Sequence, residues 1–492
     1  MNNIPSINVG IVAVSRDCFP IELSRERRSR VAAACREMRV PITEIETIVE
    51  NERDVLAALE EIARKRINAL VVYLGNFGPE GPETMLVQRF SGPAMIAAAA
   101  EESGDNLVHG RGDAYCGLLS ASYNLGLRRQ RPHIPEYPVG DPREIAVMIA
   151  EFLPVARVVE GVRNLKIISF GPRPFDFLTC HAPIQPLFDL GVEIVEHSEL
   201  DLYDLVQAED READVERIAG EIVAELGAGN TYPDLVPKLA RYESALEEAM
   251  RANLGASRYV AFANKCWPAF QKYFGHVPCY INSRLAARGI PVACEADIYG
   301  ALSQYMCVCA TGRPPGLLDI NNSVPRDMVE RNRAVTGDYA LSDLWMGFHC
   351  GNTSSSCLLE PVMKHQLIMH RLQESGRAPD ITRGTLEGRI QPGPVSVFRV
   401  QSTSGARLGA YVAQGEVLDL DPRSFGSIGV FAVREMGRFY RHVLIERRFP
   451  HHTAVAFGHA GKTLFAACRM LGIEDLFYNH PKGLPYPGEN PF

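Results

Sequence analysis

Ile7-Asn8-Val9-Gly10-Ile11-Val12-Ala13-Val14 is an apolar run of strand length, and the order of elements that it opens decides the fold. Residues 22–38 carry the apolar period of a helix, residues 42–48 read as a second strand, 52–65 as a second helix and 69–73 as a buried third strand. Strands that alternate with helices need crossover connections, so the pattern predicts a parallel sheet covered by helices on both faces. Ligands of such sheets bind beyond the carboxyl ends of the strands. Three segments lie at those ends: Ser15-Arg16-Asp17-Cys18-Phe19, the run from Leu74 through Gly75-Asn76-Phe77-Gly78-Pro79-Glu80 to Glu83, and His109-Gly110-Arg111-Gly112-Asp113. The middle one is neither a dinucleotide fingerprint nor a P-loop, because its prolines remove amide donors and no Gly-Lys-Ser/Thr comes after it. It is either an irregular turn or a loop through which backbone approaches a ligand or a neighbouring subunit.

A Pro-rich connector, residues 131–138, leads to a helix over 142–155, and a second strand-helix pattern starts at Leu165-Lys166-Ile167-Ile168-Ser169-Phe170. Its further strands are read at 192–196 and 259–263, with charged, solvated helices over 209–226 and 235–252, a helix from Glu295, and a strand over 316–320. Beyond Leu341 the segments 395–401, 406–413 and 426–433 succeed one another without helices, the signature of an antiparallel meander. The expected architecture is α/β: two Rossmann-like doubly wound domains over 1–160 and 161–340, then a C-terminal antiparallel β-barrel domain over 341–492.

A chain of 492 residues exceeds one ordinary core, and a net charge of −8 lacks the basic surface that a nucleic-acid grip needs. No apolar run reaches membrane-spanning length. The opening Met1-Asn2-Asn3-Ile4-Pro5 has no basic n-region and Arg16 and Asp17 interrupt the apolar run behind it, so a cytoplasmic location is expected. The 12 cysteines show no disulfide-framework spacing and read as reduced, mostly buried thiols. Cys307-Val308-Cys309 sits on a helical pattern without the second pair of ligands that a zinc knuckle needs, so core packing is expected there.

Chemistry concentrates near the C-terminus, in Phe449-Pro450-His451-His452-Thr453-Ala454-Val455-Ala456-Phe457-Gly458-His459-Ala460-Gly461. Imidazoles set among apolar residues are costly to bury without a metal, a counter-charge or a hydrogen bond. Two upstream acidic segments, Ala293-Cys294-Glu295-Ala296-Asp297 and Leu318-Asp319-Ile320, supply candidate partners. Glu295 and Asp319 offer hard oxygen and His452 offers nitrogen, a donor set suited to an octahedral divalent ion such as manganese rather than to structural zinc. Taken alone, Glu295 is also a helix N-terminal acid and Asp319 a turn former ahead of Asn321-Asn322.

Ala293-Cys294-Glu295-Ala296-Asp297-Ile298-Tyr299-Gly300-Ala301-Leu302, the aspartate of Leu317-Leu318-Asp319-Ile320-Asn321, and His452 with Gly458-His459-Ala460-Gly461 together resemble the L-fucose isomerase family, with L-arabinose isomerase as a more distant relative. Gly75-Asn76-Phe77-Gly78-Pro79-Glu80 and Gly384-Thr385-Leu386-Glu387-Gly388 are similar to family segments as well. The resemblance implies a homo-oligomeric, often hexameric, Mn2+-dependent aldose-ketose isomerase, with Mg2+ or Co2+ as other ions. Its substrate would be similar to L-fucose or D-arabinose, or a 6-modified hexose. Glu295, Asp319 and His452 would be the metal ligands, and Glu295 and Asp319 the pair that moves the proton. His451 departs from the asparagine-like place of fucose isomerases, and His349 falls near a histidine ligand of the arabinose enzymes.

Arg16, Trp267, His349, Asn352 and His451 are candidate substrate contacts, each with a structural alternative. His451 is equally read as a residue that orients its neighbour, and Arg16 as a salt-bridge partner of Asp17. Arg16 and Arg173, if both near the pocket, would favour an acidic sugar such as sulfoquinovose. Two other function classes remain: a non-catalytic sugar-binding or regulatory protein, which needs no metal for a neutral sugar, and an epimerase or lyase sharing the enediolate step.

Overall fold

Val9–Val14 (β1) is buried along its whole length, which its unbroken apolar sequence requires: a strand covered on both faces has no polar side to alternate with. The structure, a computed structural model, describes residues 2–108, 110–208, 210–368, 382–402 and 405–490; His109, in the third predicted loop, and Glu209, the first residue of a predicted helix, lie outside them. With Thr43–Glu44 (β2), Ala69–Leu74 (β3), Ala94–Ala99 (β4) and Val139–Gly140 (β5), β1 forms a sheet of order β2-β1-β3-β4-β5 in which every pairing is parallel. The predicted second strand shortens to two residues because Glu46 and Thr47 donate their amides to the buried Glu61 carboxylate, at 2.8 and 3.1 Å, instead of to β1.

The chain divides into two compact units, one of residues 5–160 and 465–472, which holds this sheet, and one of residues 1–4, 161–464 and 473–492. In the first, the Gly75–Glu83 segment is a tight turn that runs into the helix Glu80–Arg89. Gly78 has φ +76°, a conformation that favours glycine, and a Cβ there would also meet the Glu83 carboxylate at 2.2 Å. Arg16 lies over the Phe77 ring at 4.8 Å and reaches Glu80 at 3.5 Å, not its neighbour Asp17.

Glu83 itself is fully buried with both carboxylate oxygens unpaired, and burial, reinforced by the nearby Glu80 charge and only partly opposed by Arg16, pushes its carboxyl from 4.5 up to about 8. Folding therefore takes up a proton between those pH values. The stability is intact below pH 4.5 and is lost as pH rises through about 8. Glu83→Met, which removes the ionisable group at similar volume, is expected to abolish that slope and to gain roughly 4 kcal/mol at pH 8. Denaturant unfolding of both proteins at pH 5 and pH 8 measures it; a variant no more stable than the parent at pH 8 contradicts the assignment.

The second unit begins its sheet with Leu165–Phe170 (β6), Glu193–His197 (β7), Tyr259–Ala263 (β8) and Val292–Ala293 (β9), in the order β7-β6-β8-β9 and again wholly parallel. The helix read over 209–226 spans Glu212–Leu226, and a separate helix that was not read, Glu199–Gln207, precedes it, capped by Ser198 with Asp201 reaching back to the cap amide. Cys307 and Cys309 are fully buried on the helix Ile298–Thr311, as core residues.

Among the described residues the third sheet has nine strands: Pro315–Ser323 (β10), Leu344–His349 (β11), Leu358–His365 (β12), Arg383–Ile390 (β13), Gly393–Ser402 (β14), Leu408–Leu418 (β15), Ser427–Ala432 (β16), His452–Ala456 (β17) and Asp475–Tyr478 (β18). The order is β12-β13-β16-β11-β10-β17-β14-β15-β18, and β15 also pairs with β16. The sheet is mixed, which corrects the purely antiparallel expectation: β13 runs parallel to β16 and β15 to β18. Neither pair is consecutive in sequence, and only neighbours joined by a tight hairpin are obliged to be antiparallel. Among the described residues, no helix is long and apolar enough to cross a membrane.

Candidate active site

β9 is a two-residue edge strand, and Glu295 lies two residues beyond it, at the carboxyl end of a parallel sheet. The chain turns there through positive φ at both Glu295 (+62°) and Ala296 (+56°), conformations that cost non-glycine residues about 1–3 kcal/mol each and collect at functional sites. The turn ends on Asp297, whose Oδ1 accepts the Gly300 amide at 2.8 Å and caps the helix Ile298–Thr311. Thus one short segment aims two carboxylates with different tasks.

Asp319 and His452 meet through sheet register. β10 and β17 are antiparallel with Asp319 directly opposite His452, and directly opposed residues project from the same face. His452 Nε2 lies 3.4 Å from Asp319 Oδ1 and 3.4 Å from Glu295 Oε2. Three residues from separate parts of the sequence therefore present one nitrogen and two oxygens to a common point.

Asp297 and Arg399 explain how His452 is held. His452 Nδ1 is 2.9 Å from Asp297 Oδ2, and Arg399 donates to both oxygens of Asp297, at 2.7 and 2.9 Å, with all three side chains buried. Burial alone would raise the Asp297 carboxyl; the Arg399 guanidinium and the hydrogen bond with His452 reverse this and hold it well below the usual range. An ionised Asp297 keeps the imidazole proton on Nδ1 and turns the Nε2 lone pair toward Glu295 and Asp319, the carboxylate–histidine arrangement that orients metal-binding imidazoles.

The remaining electrostatics are those of a charge-rich pocket. Burial, opposed by His452, raises Glu295, with the Asp319 charge adding to the rise, and burial raises Asp319. For His452 burial favours the neutral form, but hydrogen bonds to Asp297 and Cys180 and the surrounding carboxylates lift it well above its ordinary value. Despite their burial, His452 Nε2 and Asp319 Oδ1 have no hydrogen-bond partner. A divalent cation fits these donors: ligands about 2.1 Å from one ion stand roughly 3.0–3.4 Å apart, and the ion would replace the proton that otherwise balances the two carboxylates.

Two other sequence candidates, His451 and His349, stand beside these residues. His451 Nε2 is 3.7 Å from Asp319 Oδ1 and 3.9 Å from Glu295 Oε2, and burial together with the charge of His452 lowers it to about 4, leaving it neutral near pH 7. It stands with Asp319 and His452 as a potential metal-binding group. His349 is buried 5.8 Å from the His452 ring, centroid to centroid, with Nε2 unpaired; its Nδ1 accepts the Cys350 amide at 3.0 Å. Asn352 is buried with neither amide atom hydrogen-bonded, as suits a group that waits for a polar ligand. Trp267 connects through rings: Phe177 lies 5.6 Å from Trp267 and 6.2 Å from His451. Arg16 belongs to the other unit.

Sequence reading missed Cys180, Asp297 and Arg399. Cys180 Sγ is 3.5 Å from Glu295 Oε2 and 3.9 Å from His452 Nδ1, and with Glu295 and His452 forms a second potential metal-binding group. Asp297 carried a signal, as the second acid of Glu295-Ala296-Asp297; an arginine inside the apolar run Val395-Ser396-Val397-Phe398-Arg399-Val400 was another. A cavity of about 610 Å³ opens beside the site, with His451, Ile320, Leu178, Gln401 and Ser402 in its wall.

Two family models match the chain: the N-terminal domain of fucose/sulfoquinovose isomerases over residues 10–163, and the C-terminal domain of L-fucose isomerase over residues 347–477. The second range encloses His349, Asn352, His451 and His452; Glu295 and Asp319 lie in the segment between the two. A sulfoquinovose isomerase of Priestia aryabhattai is 25% identical over 480 residues, covering 95% of this chain and 98% of that protein. One from Alkalicoccus urumqiensis is 27% identical over 79% of this chain and 81% of its own length. Another, from Clostridium sp. (strain MSTE9), is 26% identical over 70% of this chain and 71% of its own.

Proposed function

We propose, from the premise that this chain is an isomerase belonging to the L-fucose isomerase family, that it interconverts an aldose and its ketose through a cis-enediolate with the aid of a divalent cation, Mn2+ or else Mg2+ or Co2+. The observation that carries the reading is the pair of buried, unpartnered atoms His452 Nε2 and Asp319 Oδ1, 3.4 Å apart, with Glu295 Oε2 at the same distance from the imidazole. Glu295, Asp319 and His452 hold the ion, with His451 close by. Once bound, the cation stabilises the negative charge that builds on two adjacent sugar oxygens.

The protein's own groups do the rest. Asp319 is fixed by ladder bonds to β11 and β17 on either side, so it serves chiefly to hold the ion. Glu295, on its strained turn and one methylene longer, takes the proton from C2 and returns it to C1. The unpaired amide of Asn352, the imidazole of His349 and the ring of Trp267 receive the sugar. A 6-modified hexose such as sulfoquinovose is the substrate that the relatives favour, ahead of L-fucose or D-arabinose. The reading includes domains over 1–160, 161–340 and 341–492, a homo-oligomer that is a hexamer by family resemblance, Arg16 as a substrate contact, and a cytoplasmic location.

The test is incubation with Mn2+ and a panel of aldoses in deuterated water, monitored by NMR. The expected result is a ketose carrying deuterium at C1, lost on chelation and restored by added metal. A second aldose in place of the ketose would establish the epimerase alternative, and sugar binding without exchange the non-catalytic one.

A further inference from the structure

Three loops rise from the same edge of the β7-β6-β8-β9 sheet: Gly171-Pro172-Arg173-Pro174 after β6, Asn264-Lys265-Cys266-Trp267 after β8, and Cys294-Glu295 after β9. Parallel strands share their carboxyl edge, so these loops line one side of the unit in the order of their strands. Neighbouring strands stand about 4.8 Å apart, which sets the roots of the β6 and β9 loops, two strands apart, about 10 Å from one another. Between them lies an aromatic floor, with Phe175 5.1 Å and Phe177 5.6 Å from the Trp267 ring. The loop that starts at Gly171 continues to Cys180, whose thiol touches Glu295. One segment thus runs from Arg173 to the candidate metal site.

Arg173 is an anomaly. It is half-buried, its Nε is shut off from solvent with no acceptor, and among the described residues its guanidinium has neither a hydrogen bond nor an ion pair. An Nε closed to solvent and without a protein acceptor is a donor that an anionic ligand can satisfy. Lys265, the other cation on this edge, is already matched by Glu199 at 2.8 Å. The uncompensated positive charge is therefore that of Arg173.

We infer that Arg173 binds an anionic group at the far end of the substrate, on the carbon most distant from the carbonyl, and that this group is a sulfonate. The inference rests on the isomerase reading for the position of the carbonyl end at Glu295, Asp319 and His452. An extended six-carbon chain with a terminal sulfur, built from single bonds of about 1.5 Å, spans roughly 8 Å, which matches the separation of the two loops once side chains reach inward. The planar fork of the guanidinium suits a multi-oxygen anion, and the rings between suit the apolar face of the sugar.

Calorimetric titration of the Mn2+-loaded protein with sulfoquinovose, glucose 6-phosphate and D-glucose, repeated with Arg173→Ala and Arg173→Lys, tests it. The expected result is a sulfoquinovose affinity lowered about tenfold to a hundredfold in Arg173→Ala, the range for one charge-assisted hydrogen bond, with a smaller loss in Arg173→Lys and D-glucose affinity changed less than about threefold. Equal losses for charged and neutral sugars, or no loss, would overturn the inference. A parent protein that prefers the 6-phosphate would overturn the sulfonate, and an altered oligomeric state with unaltered sugar affinity would assign Arg173 to a subunit contact instead. Isomerisation of the same sugars is measured separately: an Arg173-dependent affinity without any ketose leaves the clamp standing and rejects the isomerase reading, whereas ketose formation indifferent to Arg173 does the reverse.

Discussion

Glu295→Gln is expected to lower kcat for aldose-ketose conversion by about a hundredfold to ten-thousandfold, the range for removal of one positioned acid-base group. The amide keeps the size of the carboxylate and its place on the turn at φ +62°, so the loss reports proton transfer rather than misfolding. Asp319→Asn is expected to differ in kind. Its carboxylate sits in the sheet opposite His452 with Oδ1 unpaired, and the variant should lose Mn2+ affinity first and activity as a consequence. Calorimetry with Mn2+ and solvent-deuterium exchange, run on both variants, separate the roles: Glu295→Gln should lack exchange even when saturated with Mn2+, and Asp319→Asn should recover part of its exchange at high Mn2+. Full exchange in Glu295→Gln would remove it as the base.

The parallel sheets were legible because burial on both faces leaves an unbroken apolar run, as in β1, β6 and β8, whose observed limits fall within two residues of those read from sequence. β4, Ala94–Ala99, was not legible: alanine-rich segments score poorly as strands, yet this one is buried throughout its length. β12 and β13 went unread for another reason: each mixes buried and half-buried residues without clean alternation, and β12 pairs with β13 through two irregular steps. Within the site, the residue types able to hold a cation stood out, because acids and imidazoles beside apolar runs need an explanation. That Asp319 would face His452 was not legible, since a register shift of one residue reverses the face on which a side chain projects. Nor was the service of Asp297 and Arg399, because a supporting pair separated by 102 positions has no local pattern.

Breaking that supporting pair gives the largest expected effect outside the reacting groups. Arg399→Met leaves the Asp297 carboxylate buried and without its guanidinium, and loss of one partner of such a pair costs about 3–5 kcal/mol of folding stability. Asp297→Asn acts otherwise. An amide can present its NH2 to His452 Nδ1, which moves the ring proton to Nε2 and turns a metal-facing lone pair into a donor; Mn2+ affinity should fall about tenfold to a hundredfold. Combining the two removes the stranded charge, so the double variant should be less destabilised than Arg399→Met alone, while its metal affinity stays low. Unfolding in denaturant and Mn2+ calorimetry on the three proteins check both halves. If Asp297→Asn binds Mn2+ as tightly as the parent, the imidazole does not owe its orientation to Asp297; if the double variant is the least stable, Arg399 stabilises the unit by packing rather than by neutralising the carboxylate.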